Sequence, residues 1–277
     1  MKEVQSFVKE VGGNEGNKCH YPTRLDTYGC GCQHDCKYCY AKSLLAFRDL
    51  WNPEQPSVAD IDRIRREIRK TKPGTIIRLG GMTDCFQPCE ILHRATYKTI
   101  KALNRQKVGY LIVTKSAIVA RDEYMAIYDP KLAHFQITVT TLDDKLCRTY
   151  EKASPPSERI KAIMKLQDAG FDVAIRLSPL IEEYMDFEKL ATLGIQKAVC
   201  EFLRVNHWIE KWFHLDYSKY TLNQSGYRHL PLKEKIRILD KVKIPSITVC
   251  EDVTEHYQYW EKHVNPNKDD CCNLRRE

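Results

Sequence analysis

The sequence lacks long apolar runs, internal repeats and low-complexity segments. Its 277 residues contain no stretch of about 18 apolar residues, so no transmembrane helix is predicted. The first six residues also lack the apolar core of a secretory signal. We therefore expect a cytoplasmic protein without a membrane partner.

Cysteine, in contrast, is abundant, with 12 residues in the chain. In a reducing cytoplasm these thiols are not expected to form disulfides, so they are predicted to be metal ligands, redox thiols or small core residues. The net charge of +7 is compatible with a polyanionic partner such as nucleic acid. Charge alone favours the alternative, an ordinary solvated surface.

Three cysteines, Cys32, Cys36 and Cys39, lie close together with the spacing Cys-x3-Cys-x2-Cys. Such a loop can direct three thiolates at one [4Fe–4S] cluster, and protein-held clusters normally take four. A local set of three leaves one iron for a ligand that is not protein. Zinc is the alternative, with Cys30 as a fourth ligand, because zinc sites use similar spacing. A zinc knuckle, however, usually needs a second ligand pair, and none follows soon.

Predicted strands and helices alternate about six times between residues 25 and 202. This pattern predicts an α/β fold with a parallel sheet covered by helices. Six units are too few for a complete eight-stranded barrel. The cysteine loop directly follows the first predicted strand, at the carboxyl end of the sheet, where α/β barrels place their chemistry.

The cysteine motif, with Tyr38 between its last two cysteines, resembles the signature of the radical S-adenosylmethionine (SAM) superfamily. The resemblance implies a partial (β/α)6 TIM-type barrel in which Cys32, Cys36 and Cys39 hold a [4Fe–4S] cluster. It also implies that SAM chelates the open iron and is cleaved to a 5′-deoxyadenosyl radical, which abstracts hydrogen from a substrate. A reductant such as flavodoxin or ferredoxin would be a partner.

We divide the chain into three regions on this basis. Residues 1–21 form a polar N-terminal entry segment, and residues 22–202 form the radical SAM core barrel. Residues 203–277 differ in composition, since they hold three of the four tryptophans. We expect this C-terminal extension to close the open side of the barrel.

Two glycines, Gly80 and Gly81, follow the second predicted strand and would let a ligand approach the backbone closely, although a simple tight turn is the alternative. In radical SAM enzymes the equivalent segment meets the amino group of SAM. Here Thr83 and Asp84 supply the polar atoms.

Within the superfamily, the chain is most similar to the spore photoproduct lyase branch, on the segments Thr83-Asp84-x-x-Gln87-Pro88 and Val113-Thr114-Lys115. The resemblance implies that Lys115 pairs with the SAM carboxylate, although a solvated lysine is the alternative. The remaining candidate SAM contacts are Tyr38 in the cysteine loop and, on later strands, Thr138, Thr140, Arg176 and Ser178.

Arg176 could pair with the SAM carboxylate or with a substrate anion. The alternative is a structural ion pair with an acidic residue.

One departure from the lyase branch concerns the hydrogen donor. The lyase has a cysteine just before the threonine of the second-strand segment, and this chain has Met82 there. Cys85 and Cys89 lie nearby and could donate hydrogen to a product radical, or they could simply be packed thiols. The departure weakens the case for thymine-dimer reversal as the reaction.

Three further cysteines, Cys250, Cys271 and Cys272, lie in the extension. Together with one more, either Cys200 or Cys19, they could hold an auxiliary cluster, and zinc is a smaller possibility. The alternative is a set of buried thiols.

Three functions therefore compete. The first is radical SAM chemistry on a nucleic-acid base, in DNA repair or modification. The second is the same chemistry on a peptide or small metabolite. The third is a zinc- or cluster-binding nucleic-acid module without catalysis.

Overall fold

The computed structural model describes residues 7–8, 18–265 and 270–275. Most of the predicted entry segment, residues 1–21, therefore lies outside the described residues, as does part of the extension.

The strands of the fold are β1 Phe7–Val8, β2 Arg24–Leu25, β3 Tyr28–Gly29, β4 Ser57–Val58, β5 Ile76–Leu79, β6 Gly109–Thr114, β7 Ala133–Thr138, β8 Asp172–Leu180, β9 Lys197–Phe202, β10 Leu222–Gln224, β11 Tyr227–His229 and β12 Ser246–Val249. Eight of them form the central sheet, in the order β1-β2-β5-β6-β7-β8-β9-β12. Its edge strand β1 pairs antiparallel with β2, and all other neighbours are parallel. This arrangement confirms the predicted α/β fold of a partial TIM-type barrel.

Helices follow most of the parallel strands and cover one face of the sheet. They span Tyr40–Ala46, Ile61–Lys70, Glu90–His93, Ala95–Arg105, Asp122–Met125, Asp144–Arg148, Pro156–Asp168, Phe187–Ala191, His207–Trp212, Leu232–Leu239 and Thr254–His263, with 3-10 turns at Ala117–Ala120 and Glu182–Tyr184. Among the described residues, no helix combines the length and apolarity that crossing a membrane would require.

Alternate residues of the parallel strands face opposite sides of the sheet, which explains the two hydrophobic clusters of the molecule. Tyr110 and Ile112 of β6 pack in the large cluster beneath the helices. Leu111 points the other way and packs against Cys271 and Leu274 of the C-terminal segment. The face opposite the helices, called here the inner face, is therefore covered in part by residues 270–275.

The extension does more than cover an opening, because it adds a strand to the sheet. Strand β12 pairs in parallel with β9, with Ser246 opposite Lys197 and Val249 opposite Cys200. Among the described residues the sheet therefore contains seven parallel strands, one more than the six of the βα pattern predicted between residues 25 and 202.

Candidate active site at the carboxyl end of the sheet

A single pocket at the carboxyl ends of β5 to β8 collects most of the predicted site residues. These strands end at Leu79, Thr114, Thr138 and Leu180, and the cysteine loop after β3 reaches the same edge. The predicted residues that line the pocket are Cys32, Cys36, Cys39, Gly80, Gly81, Thr83, Asp84, Lys115, Thr138, Arg176 and Ser178.

The cysteine loop is fixed on one side by the segment after the helix Asp144–Arg148. The backbone N–H of Lys37 donates to the Tyr150 carbonyl at 2.9 Å, and the N–H of Lys152 donates to the His34 carbonyl at 2.7 Å. These bonds join segments that lie far apart in the sequence, so local sequence cannot encode them.

The other side of the loop is held by two hydrogen bonds, each accepted by a glutamine side chain. The N–H of Gln33 donates to the side-chain oxygen of Gln87 at 2.8 Å. In return, the Gln33 side-chain oxygen accepts from the N–H of Cys89 at 2.6 Å. The loop therefore lies between two rigid segments.

The three motif cysteines are more suited to an iron–sulfur cube than to a single ion. Among the described residues, no three cysteine sulfurs lie within 4.8 Å of one another. Thiolates on one zinc ion lie about 3.8 Å apart, given a Zn–S bond near 2.3 Å. Burial raises the pKa of Cys32 to about 12 and that of Cys36 well above its usual value, so thiolates here need a bound cation. Cys30 does not line the pocket.

Asp26 holds the glycine loop, and sequence analysis missed it. It follows β2 directly, and its carboxylate accepts the backbone N–H groups of Gly81 at 2.9 Å, Met82 at 3.0 Å and Thr83 at 3.1 Å. With these donors occupied, the loop offers carbonyl oxygens, which are acceptors for an ammonium group. An aspartate directly after a predicted strand is the sequence feature from which this role could have been predicted.

Asp84 joins the ends of β5 and β6. It accepts the Thr114 hydroxyl and the Lys115 backbone N–H, each at 2.7 Å, and lies 3.3 Å from the His34 ring. Burial alone would raise the pKa of Asp84, but His34 and these hydrogen bonds lower it to about 2. The Asp84 carboxylate is therefore already bonded to groups of the protein itself.

Lys115 is different, because no described residue accepts a hydrogen bond from its ammonium group. Its Nζ lies 5.6 Å from the centre of the Tyr38 ring. Burial alone would lower the pKa of Lys115, but Cys36 and the carboxylates of Glu151 and Asp84 raise it. A charged donor thus faces the pocket.

Arg176 is committed to neighbours inside the sheet. Its guanidinium donates to Glu201 at 2.6 Å and to the Gln136 side chain at 2.7 Å, and Ser178 donates to the same Glu201 at 2.8 Å. The structural ion pair considered from the sequence is what the structure contains.

Two of the predicted SAM contacts, Thr140 and Tyr38, do not line the pocket. Thr140 is fully buried against Tyr150 and Glu151, with oxygen distances of 2.9 and 3.0 Å. Tyr38 donates to Glu151 at 2.6 Å and lines an adjoining cavity.

Glu151 is itself paired with the buried Arg159 at 3.0 Å. Through the hydrogen bond from Tyr38 to Glu151, this ion pair stabilises the position of the cysteine loop. Neither Glu151 nor Arg159 was singled out in the sequence.

Neither predicted hydrogen donor reaches the pocket. Cys85 has no exposed surface and packs in the main core, while Cys89 begins the helix Glu90–His93 outside the pocket lining. The reason is the turn at Asp84, whose side chain accepts the Phe86 N–H at 2.8 Å and directs the chain inward. The thiol that does line the pocket, besides the motif cysteines, is Cys250.

Comparison with known proteins identifies a matching family and proteins of similar sequence. The family model of the radical SAM superfamily matches residues 27–193. Two uncharacterized proteins are similar: MJ0683 of Methanocaldococcus jannaschii is 27% identical over 166 residues, which cover 57% of this chain and 60% of that protein. ORF301 of Acidianus two-tailed virus is 22% identical over 200 residues, which cover 64% and 65%. The chain thus matches less than two thirds of the length of either relative.

Among solved structures, spore photoproduct lyase complexed with dinucleoside spore photoproduct superposes with a TM-score of 0.63 and 19% identity, over 84% of this chain and 77% of that one. A cysteine-to-serine mutant of spore photoproduct lyase superposes with a TM-score of 0.66 and 18% identity, over 90% and 79%. At this level of identity the likeness concerns the fold.

Proposed function

The chain belongs to the radical SAM superfamily, and on that basis we propose that it is an enzyme that uses a [4Fe–4S] cluster and SAM to abstract hydrogen from a nucleic-acid base. The observation that carries this proposal is one pocket that joins the three motif cysteines to the Lys115 ammonium group, from which no described residue accepts a hydrogen bond. The cluster, when bound, would supply an electron for the reductive cleavage of SAM to a 5′-deoxyadenosyl radical. An electron carrier such as flavodoxin or ferredoxin would act as the reductant.

The protein's part in this chemistry is to bind and orient. Cys32, Cys36 and Cys39 would hold the cluster, and Lys115 would bind the SAM carboxylate through a charge-assisted hydrogen bond. The carbonyl groups of the Gly80–Gly81 turn would accept the SAM amino group. Arg176, already paired with Glu201, would shape the wall of the pocket rather than bind an anion directly.

The substrate class is inferred from the cavity that adjoins the pocket. It is lined by aromatic and apolar side chains together with a cation, including Tyr40, Phe202 and Arg204. The Arg204 guanidinium lies 5.0 Å from the centre of the Tyr40 ring. An aromatic ring in such a cavity suits stacking with a planar base, while the Arg204 guanidinium is itself paired with Asp252 at 3.2 Å. The dinucleoside bound by a solved structure of similar fold supports the same class.

Lys115→Ala should weaken SAM binding by roughly tenfold or more, because a charge-assisted hydrogen bond is worth about 1.5–3 kcal/mol. Iron content should be unchanged, since Lys115 is not a cluster ligand. The measurement is SAM affinity of the anaerobically reconstituted protein, beside its iron content. Lys161→Ala, an exposed lysine on the helix Pro156–Asp168, is the matched control. Normal SAM affinity in the Lys115 variant would remove Lys115 from the site.

The substrate proposal is tested by adding single-stranded DNA, duplex DNA or RNA to the reduced enzyme with SAM. We expect one of them to raise 5′-deoxyadenosine formation, and base hydrogen to appear in that product when labelled nucleic acid is used. Stimulation by a peptide or metabolite extract instead would favour the second function. Colourless protein that binds zinc and forms no 5′-deoxyadenosine would support the non-catalytic module.

A further inference from the structure

Four cysteines from three distant segments converge on the inner face of the sheet. Cys271 and Cys272 pack with the partly buried Cys250 in one cluster on this face. Cys19 lies two residues from Tyr21, which packs against the same cluster and donates its hydroxyl to Asp270 at 3.0 Å. Of the two fourth cysteines considered from the sequence, the structure places Cys19 in the group. Cys200 packs instead in the main core beneath the helices.

Hydrogen bonds hold residues 270–275 where Cys271 and Cys272 lie next to the other two cysteines. The Cys271 carbonyl accepts the Thr248 hydroxyl at 2.8 Å, and the Cys272 carbonyl accepts the Gln136 side chain at 2.8 Å. The N–H of Cys272 donates to Asp270 at 2.7 Å. These bonds come from β7, β12 and the segment itself, so they orient both adjacent cysteines against the sheet.

A cation without a complete set of partners lies beside the group. Arg78 lines the pocket together with Cys250, and its Nε is buried without a hydrogen-bond partner among the described residues. Arg176 lines the same pocket, but its charge is paired with Glu201 at 2.6 Å. Four thiolates around an iron–sulfur cluster leave a net negative charge, which nearby guanidinium groups stabilise and can hydrogen-bond.

We propose that Cys19, Cys250, Cys271 and Cys272 hold a second iron–sulfur cluster. No three described cysteine sulfurs lie within 4.8 Å of one another, as was also found for the motif cysteines, and this separation exceeds that around one zinc ion. Full ligation by four thiolates distinguishes this site from the first, which leaves one iron open. Because Cys250 also lines the SAM pocket, the second cluster would lie next to the first site.

A second group of possible metal ligands, His229, Glu251 and Asp252, does not compete with this proposal. Its carboxylates are already neutralised by protein cations. Lys235 lies 2.5 Å from Glu251, and Arg204 lies 3.2 Å from Asp252.

The test separates the two clusters by removing the first. The variant Cys32→Ala/Cys36→Ala/Cys39→Ala, reconstituted anaerobically with iron and sulfide, should bind about four iron atoms per chain, compared with about eight for the wild type. It should keep the brown colour and a Mössbauer spectrum of a [4Fe–4S] cluster, although it cannot cleave SAM. The proposal is thus independent of the function proposed above.

The reciprocal variant, Cys271→Ser/Cys272→Ser, should lose about four iron atoms per chain while keeping the cluster whose EPR signal SAM perturbs. Cys200→Ser, a buried cysteine on the neighbouring strand, is the matched control and should keep the wild-type iron content.

Two results would overturn the proposal. One is a wild-type protein with only about four iron atoms per chain and a motif-cysteine variant with none. The other is one equivalent of zinc in place of the second cluster. If the motif-cysteine variant fails to fold, the wild-type EPR spectrum decides, since two clusters should give two signals of which SAM shifts only one.

Discussion

Individual glycines at the site are required by the close approach of other backbone atoms. Gly31, in the cysteine loop, has a φ of +150°, and a Cβ there would lie 2.0 Å from the Asn52 carbonyl oxygen. Gly80 has a φ of +86°, and its Cβ would lie 2.6 Å from the Val113 carbonyl oxygen. In both cases the obstructing atom is backbone, so no rotamer change relieves the clash.

Gly31→Ala should therefore displace the cysteine loop and sharply lower iron binding at the motif cysteines. The matched control is Gly74→Ala, because Gly74 also has a positive φ, +82°, but nothing within 4 Å of its Cβ position. The control should lose only about 1–2 kcal/mol of stability for its backbone conformation. Iron content after anaerobic reconstitution is the measurement, and equal values for the two variants would contradict the argument.

Asp26→Asn should weaken SAM binding without changing iron content. The three N–H groups of the glycine loop would lose their charged acceptor, and each hydrogen bond to a charged group contributes about 1.5–3 kcal/mol. The loop would then have more than one conformation, which costs affinity. SAM titration of the reconstituted variant checks this, and unchanged affinity would mean that the loop is ordered without Asp26.

At the scale of single residues, the sequence could predict that Cys32, Cys36 and Lys115 come together at one edge of the sheet, because each belongs to a local motif or a strand end. It could not predict the partners that decide what a side chain is free to do. Arg176 meets Glu201 only because β8 and β9 are neighbours in the folded sheet.

Elements were predictable where burial decides the pattern and less so at their ends. The β-branched runs of β6 and β8 are buried on both faces, as parallel strands are. The start of the helix Ile61–Lys70 is an example: Ser57 is a common N-cap residue, but it forms β4, and Asp60 caps the helix by accepting two N–H groups. Competing cap residues within a few positions make such a start hard to predict.

The sequence of residues 91–104 fits a single helix, but the structure divides this region into two helices. Arg94 adopts the left-handed conformation, with a φ of 51°, between Glu90–His93 and Ala95–Arg105. The buried Glu90 accepts the N–H groups of Thr96 and Tyr97, each at 2.9 Å, which fixes the break. A buried side chain thus overrides the local helical pattern.

Strand β8 begins at an acidic residue whose charge contributes to stability. Asp172 lies 2.6 Å from the His134 ring and 2.5 Å from Lys197, and it accepts the Arg275 N–H at 2.7 Å. Burial alone would raise the pKa of Asp172, but these partners lower it to about 2, from a usual value of 3.8. Its stabilising effect is therefore present above about pH 4 and is lost as the pH falls toward 2.

Asp172→Asn should accordingly lower the free energy of unfolding at pH 7 by about 1–3 kcal/mol. The difference from the wild type should shrink steadily between about pH 4 and pH 2, because the wild-type carboxylate becomes protonated there. Denaturant unfolding at a series of pH values measures both quantities. A constant difference across this range would show that the charge of Asp172 is not responsible.

At the scale of the whole molecule, the C-terminal segment connects regions that sequence analysis treated as separate. Asn273 donates to the Ala198 and Ser246 carbonyl groups, each at 3.3 Å, and so joins β9 to the start of β12. The extension is thus part of the sheet and of its inner face. The composition of residues 203–277 indicated a distinct region but could not reveal this packing, which depends on contacts between distant segments.

Asp270 is the residue on which the attachment of this segment depends most. Its carboxylate accepts the Cys272 N–H at 2.7 Å, the Leu274 N–H at 3.3 Å and the Tyr21 hydroxyl at 3.0 Å. Asp270→Ala leaves two buried N–H groups without partners, at a cost of about 1–3 kcal/mol each. We expect a lower melting temperature and loss of the iron assigned to the second cluster, while the motif cysteines keep theirs. Asp216→Ala, which removes an exposed acceptor of one N–H, should change neither. Wild-type stability and iron content in the Asp270 variant would show that the segment docks without it.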